Sequence, residues 1–287
     1  AIAPGTISSV KKTNGESIDC WVAPHPPAPR PSFLFGGRVG LGLRVLPDVG
    51  GMSVPPASLS LGFARMLAEY DHTSEAEKFS KTHRWVQLLE GIELGLQLAL
   101  GSNYIVRSSM GCGKWARVPW VHIHDPTQTS TQSGLYVQYV VQADVKGVYL
   151  VLAQGTSKLR ASVGVPAASH HINSTANYVR ERMHAELRDS AQLFDIYGRV
   201  ELKAPKGHGA PFEKGAIISR HYPAGQLPPE ATMMGQLRTL LKAYTNVVHD
   251  PQYASFMASL AEQTAAAQSA TNAHSAAAAQ ILAVQQR

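Results

Sequence analysis

Cysteine is scarce: Cys20 and Cys112 stand far apart in 287 residues, outside any Cys-x-x-Cys spacing. Neither a disulfide framework nor a zinc site is signalled, and a reducing, intracellular compartment is the simpler inference. No run of about 18 apolar residues exists to make a transmembrane helix. The start also lacks a basic segment followed by a hydrophobic core, so no secretory signal is read there. The expectation is a soluble, cytoplasmic protein with no membrane partner. Charge is thin as well, at 16% of residues, and 26 Lys plus Arg against 20 Asp plus Glu leave a net charge of +6. That excess suits a polyanionic partner without demanding one. No HExxH pair occurs, and Gly111-Cys112-Gly113-Lys114 is not a phosphate-binding P-loop. Such a loop needs glycine where Ser108 stands and Ser or Thr where Trp115 stands.

The chain is long enough for one domain of about 150–200 residues with ends to spare, and the ends differ from the middle. Residues 1–54 carry His-Pro-Pro-Ala-Pro-Arg-Pro from His25 and a glycine-rich run from Phe35 to Arg44, without sustained period. They read as a disordered or non-native extension, with Met52 a candidate true start. Residues 251–287 become rich in Ala, Gln and Ser with hardly any charge. Alanine favours helix, but without a broad apolar face this reads as an Ala/Gln-rich linker or helix, partly helical and no second core.

Between them, Leu59, Phe63, Met66, Leu67 and Tyr70 fall at helical spacing, as do Trp85, Leu88, Leu89, Ile92 and Leu96 within Thr82–Leu100. Alternation then predicts strands near Tyr104–Ser109, Trp120–His124, Leu135–Val141 and Val148–Ala153. Helix near Ser174–Ser190 follows, then a strand pair around Val200–Leu202 and Gly215–Ser219, and a helix over Pro228–Val248. This is an α+β fold: a mostly antiparallel, curved sheet flanked by helices, a single domain over 55–250 with flexible ends.

The stretch Gly111–Gly155 concentrates the chemistry, with two tryptophans, paired tyrosines and glycine turns set in strand alternation. Its order is distinctive: Gly-x-Gly-x-Trp-Ala, Val-Pro-Trp, a Thr/Ser loop, Gly-x-Tyr, then Tyr-Leu-x-Leu-x-Gln-Gly. It resembles the N-terminal DNA-binding domain of McrB-type, modification-dependent restriction proteins. A second block, Phe212–Val248, fits the same family with a Gly-x-Ile strand, a Tyr, a Leu-Pro turn and a closing helix, so the resemblance covers roughly 59–248. It implies a non-catalytic module, without cofactor or metal, that binds double-stranded DNA containing modified cytosine. The base would be turned out of the duplex into an aromatic pocket. In the family such a domain precedes a motor or nuclease domain, which makes one the expected partner.

Carried over residue by residue, the resemblance makes Trp120 the stacking ring, Val140 the apolar pocket position and His208 the second wall, with Phe212 a nearby alternative. Tyr136 and Tyr139 have opposite parity in one strand, so at most one faces the pocket, and Tyr136 shares parity with Val140. Lys114 and Arg117 by the glycine turn, and Lys206, Lys214 and Arg220 in a locally basic stretch, are candidate phosphate contacts. Bland readings stand beside these: Trp120 as a core residue, His208 as a loop residue, the lysines as solvated surface. Two other classes remain open. His122, His124 and Asp125 are the nearest approach to a metal-dependent hydrolase or nuclease cluster, and the aromatic sheet with the alanine-rich tail suits a protein-interaction module.

Overall fold

The computed structural model describes residues 54–70, 78–128, 134–187, 193–204 and 209–285. The extension expected before residue 54 lies outside them. The helix α1 (Leu59–Glu69) and α2 (Arg84–Leu100) precede strands β1 (Ile105–Gly111), β2 (Trp115–His124), β3 (Leu135–Val141) and β4 (Gly147–Gln154). Then come α3 (Ser157–Glu186), α4 (Ala210–Gly215), β5 (Ala216–Pro223), α5 (Glu230–Val248) and α6 (Pro251–Gln285). The five strands form one open sheet in sequence order, every neighbour antiparallel. The α+β architecture is as the periodicity predicts.

Alternation gives the sheet two unlike faces. Val121, Ile123, Val137, Tyr139, Leu150, Leu152 and Tyr222 point to the helices, where they join Phe63, Met66, Leu89, Ile92, Leu237 and Tyr244 in the main core. The other face carries Val118, Tyr136, Val140, Tyr149 and Val151, a smaller cluster covered by Val200, Leu202 and the half-buried Phe212 instead of by long helices. Tyr136 and Tyr139 do lie on opposite faces.

One carboxylate ties the first helix to the last helix of the core. Glu230, the first residue of α5, accepts from Ser58 Oγ at 2.7 Å, from Leu59 N at 3.2 Å and from Ser60 N at 2.7 Å. It thus sits at the N-termini of both α1 and α5, where unpaired N–H groups and the helix dipoles favour a negative charge.

Two local expectations need correcting. Val200–Leu202 forms no strand: Lys203 is in the left-handed region at φ 54°, and the segment is held by single links. Ala143 N donates to Leu202 O at 2.8 Å, and Leu202 N donates to Glu213 Oε1 at 2.8 Å. The tail, read as linker or helix, is helical over Pro251–Gln285, and its early part packs on α3 through buried Tyr253, Leu260 and Thr264. Finally, Cys112, in the turn after β1, is disulfide-bonded, where the sequence signals no disulfide.

Candidate nucleic-acid interface

On the face away from the long helices, pairing register lines up a row across all five strands. Ser109 pairs with Trp120, Trp120 with Val140, Val140 with Tyr149, and Tyr149 with His221. The next row runs Arg107, His122, Gln138, Val151, Ser219. Because opposed residues of an antiparallel sheet share a face, these side chains form one surface.

Trp120 is its half-exposed ring. One indole face stacks on His122, with centroids 3.9 Å apart and planes 20° apart, and His122 is backed by Tyr136 at 4.6 Å. His122 is fixed by a 2.7 Å hydrogen bond from Nε2 to Gln138 Oε1. With Oε1 as acceptor, Nε2 carries the proton and Nδ1 holds a lone pair, which is buried and has no partner among the described residues. Desolvation lowers the His122 pKa to about 3, against a smaller opposing effect of the Gln138 hydrogen bond. The imidazole therefore stays neutral under ordinary conditions. His122 and Gln138 were not read from the sequence as parts of this surface; strand parity with Trp120 and Val140 is the signal that would have found them.

The other expected residues divide by place. Val140 is fully buried beside Trp120, Tyr136 lies at the base of the ring column, and Phe212 on α4 packs against the same cluster. His208 and Lys206 lie outside the described residues. Lys114 is exposed in the β1–β2 turn, and Arg117 is exposed on β2 with the parity opposite to Trp120. Lys214 is exposed on α4, next to the outer cluster. Arg220 belongs to the helix side of β5, where it pairs with Leu150 and donates through Nη1 to Leu193 O at 2.9 Å. Trp115 is not on the outer face, since its ring meets His83 at 4.6 Å and Phe79 at 5.2 Å beside the main core.

The alternative metal cluster is not drawn together, and the buried Nδ1 of His124 has no hydrogen-bond partner among the described residues. His122 faces Gln138, while Asp125 accepts from Thr127 N at 2.8 Å, Thr127 Oγ1 at 2.6 Å and His249 Nε2 at 2.9 Å. Burial pushes the Asp125 pKa up, but these hydrogen bonds outweigh it and leave the group below its ordinary value. Among the described residues no group of three His, Cys, Asp or Glu is placed to hold a metal ion, and no helix is long and apolar enough to cross a membrane.

Helices gathered on one face of an open antiparallel sheet, with a register-aligned aromatic row on the other, define a single α+β domain. The chain belongs to the MrcB-like N-terminal domain family, whose model matches residues 65–249. That span holds all five strands and α2 to α5, and it places the chain among the DNA-binding domains of McrB-type restriction systems. No curated protein matches the chain.

Proposed function

We propose that this chain is the specificity module of a methylcytosine-dependent restriction system and captures a modified cytosine turned out of duplex DNA. The observation that carries this reading is the position of Trp120: half-exposed, on the face without long helices, directly opposite Val140 and backed by His122. A flipped base loses its stacking neighbours, and an indole replaces them with roughly 1–3 kcal/mol per base. With one indole face taken by His122, the base stacks on the other. Val140, buried beneath the ring in the unbound chain, becomes the apolar floor against a methyl group once the base displaces what covers it, worth about 0.8 kcal/mol, with Tyr136 at the base of the pocket and Phe212 or His208 as the opposite wall. Lys114, Arg117, Lys206, Lys214 and Arg220 supply sequence-independent attraction to phosphates. The domain comprises 55–250, with 251–287 leading to a motor or nuclease domain or subunit that performs cleavage.

The test is anisotropy titration against matched short duplexes carrying cytosine, 5-methylcytosine or 5-hydroxymethylcytosine at two salt concentrations. Tighter binding to a modified duplex that persists at the higher salt supports the reading. Equal affinity for all three overturns modification recognition.

A further inference from the structure

At the far end of the Trp120 row, the edge strand β5 and the loop 193–199 enclose a second concavity of about 530 Å³. Its walls include Tyr149 and His221, whose rings lie 4.5 Å apart, together with Asp195, Tyr197, Arg199 and Arg220.

The loop is braced from several directions. Asp195 and Ser219 exchange backbone hydrogen bonds of 2.7 and 2.9 Å, which extends the sheet by one bridge. Arg180, on α3, donates through its guanidinium to the carbonyls of Ile196, Ile217 and Tyr197 at 3.0, 3.1 and 3.1 Å. Gly198 lies at φ 61°, and a Cβ there would stand 2.5 Å from the Ile217 backbone, so the turn admits no side chain.

What this bracing holds out to solvent is an aromatic ring and a cation. Tyr197 is 66% exposed, although a large ring left in water forgoes the gain of burial. The Arg199 side chain is 80% exposed, its Nε bonded to Asp195 Oδ2 at 2.8 Å, an arrangement that aims the guanidinium while neutralising the one carboxylate that lines the groove among the described residues. Arg220, rooted on the helix side of the edge strand β5 and bonded through Nη1 to Leu193 O, also borders the groove, and its guanidinium is in no ion pair among the described residues. A pre-ordered ring beside two guanidiniums matches a nucleotide, because the ring takes the face of a base and the guanidiniums take phosphate oxygens.

We infer that this groove is a second nucleotide subsite, which holds a phosphate on Arg199 and Arg220 and the adjoining base or sugar against Tyr197. The inference rests on the DNA reading above and extends it to the nucleotides flanking the modified base. His221 stands three strand spacings from Trp120 in the same row, about 14 Å at 4.8 Å per strand. At 3.4 Å of axis per nucleotide, the subsite lies about four nucleotides from the base held by Trp120.

The test uses the whole chain and matched duplexes with cytosine or 5-methylcytosine, comparing Tyr197→Ala and Arg199→Ala with the unaltered protein and with Trp120→Ala. Both side chains are exposed, so thermal melts should coincide with that of the unaltered chain. Each loop variant should weaken binding by about tenfold on both duplexes and leave their ratio unchanged, Tyr197→Phe should restore affinity, and Trp120→Ala should erase the ratio instead. A duplex with 5-iodouracil three to five nucleotides from the modified cytosine should photocrosslink to Tyr197. Unchanged affinity of both loop variants overturns the subsite while leaving modification recognition standing. Weakened loop variants with no modification preference in the unaltered chain do the reverse, and absence of any DNA binding overturns both.

Discussion

Trp120 and His122, two residues apart on one face of β2, stack at 3.9 Å and 20°. The indole is therefore held by a neighbour that is itself hydrogen-bonded to Gln138 and backed by Tyr136. Removing the ring by Trp120→Ala should lower the preference for modified over unmodified duplex by about tenfold or more, since stacking is worth about 1–3 kcal/mol per base. Binding to unmodified DNA should change little. Equal loss on both duplexes, with the melting curve intact, would remove Trp120 from the pocket.

His122→Phe should keep the aromatic column while deleting its titration. The native His122 binds a proton only near pH 3, whereas an unfolded histidine does so near 6.5. Between those values the unfolded state binds more protons, so this contribution to stability is fully present above pH 6.5 and declines as pH falls toward 3. Urea denaturation from pH 7 to pH 4 should show a steeper loss for the native chain, by up to about 1.4 kcal/mol per pH unit. Identical slopes would refute the buried, neutral state of His122.

Lys114→Ala and Arg117→Ala should each weaken modified and unmodified duplexes alike. Each should also flatten the plot of log affinity against log salt by about one. A variant that alters the modified-to-unmodified ratio but not the slope would show a contact to the base instead of to phosphate.

Glu230→Ala leaves Ser58, Leu59 N and Ser60 N without their shared acceptor. Hydrogen bonds to a charged group contribute roughly 1.5–3 kcal/mol, so the variant should lose about 2–4 kcal/mol in urea denaturation. Glu230→Gln, which keeps one acceptor oxygen, should recover part of it. A loss below about 0.5 kcal/mol would mean that the carboxylate does not clasp the two helices.

The elements that periodicity defines were readable before the structure. The apolar spacing of Trp85, Leu89, Ile92 and Leu96 places them all in the core on α2, and strand parity separates Tyr136 from Tyr139. Val200–Leu202 misled because a short apolar run looks alike whether it pairs or plugs. Here it covers the outer sheet face through side chains, with one backbone link to Ala143. In the tail, what spacing did not show is the packing: its few apolar residues, Tyr253 and Leu260 among them, suffice because α3 meets them. The loop 193–199 was illegible because Arg180 and Ser219, which shape it, come from elsewhere in the chain. Of the site, Trp120, Val140 and Tyr136 could be placed by parity, whereas the stack on His122 depends on side-chain torsions that no spacing encodes.

The strand order of the sheet also bears on how the molecule assembles itself. From β1 to β4 each strand follows its partner through a short connection, so those pairings close small loops at little entropic cost. Only β5 returns after the long excursion through α3 and α4. Its docking closes the largest loop in the sheet and is the expected slow step of folding. The surface around Trp120, made by β2 and β3, can then form early and locally, whereas the groove beside β5 exists only once the chain has finished folding.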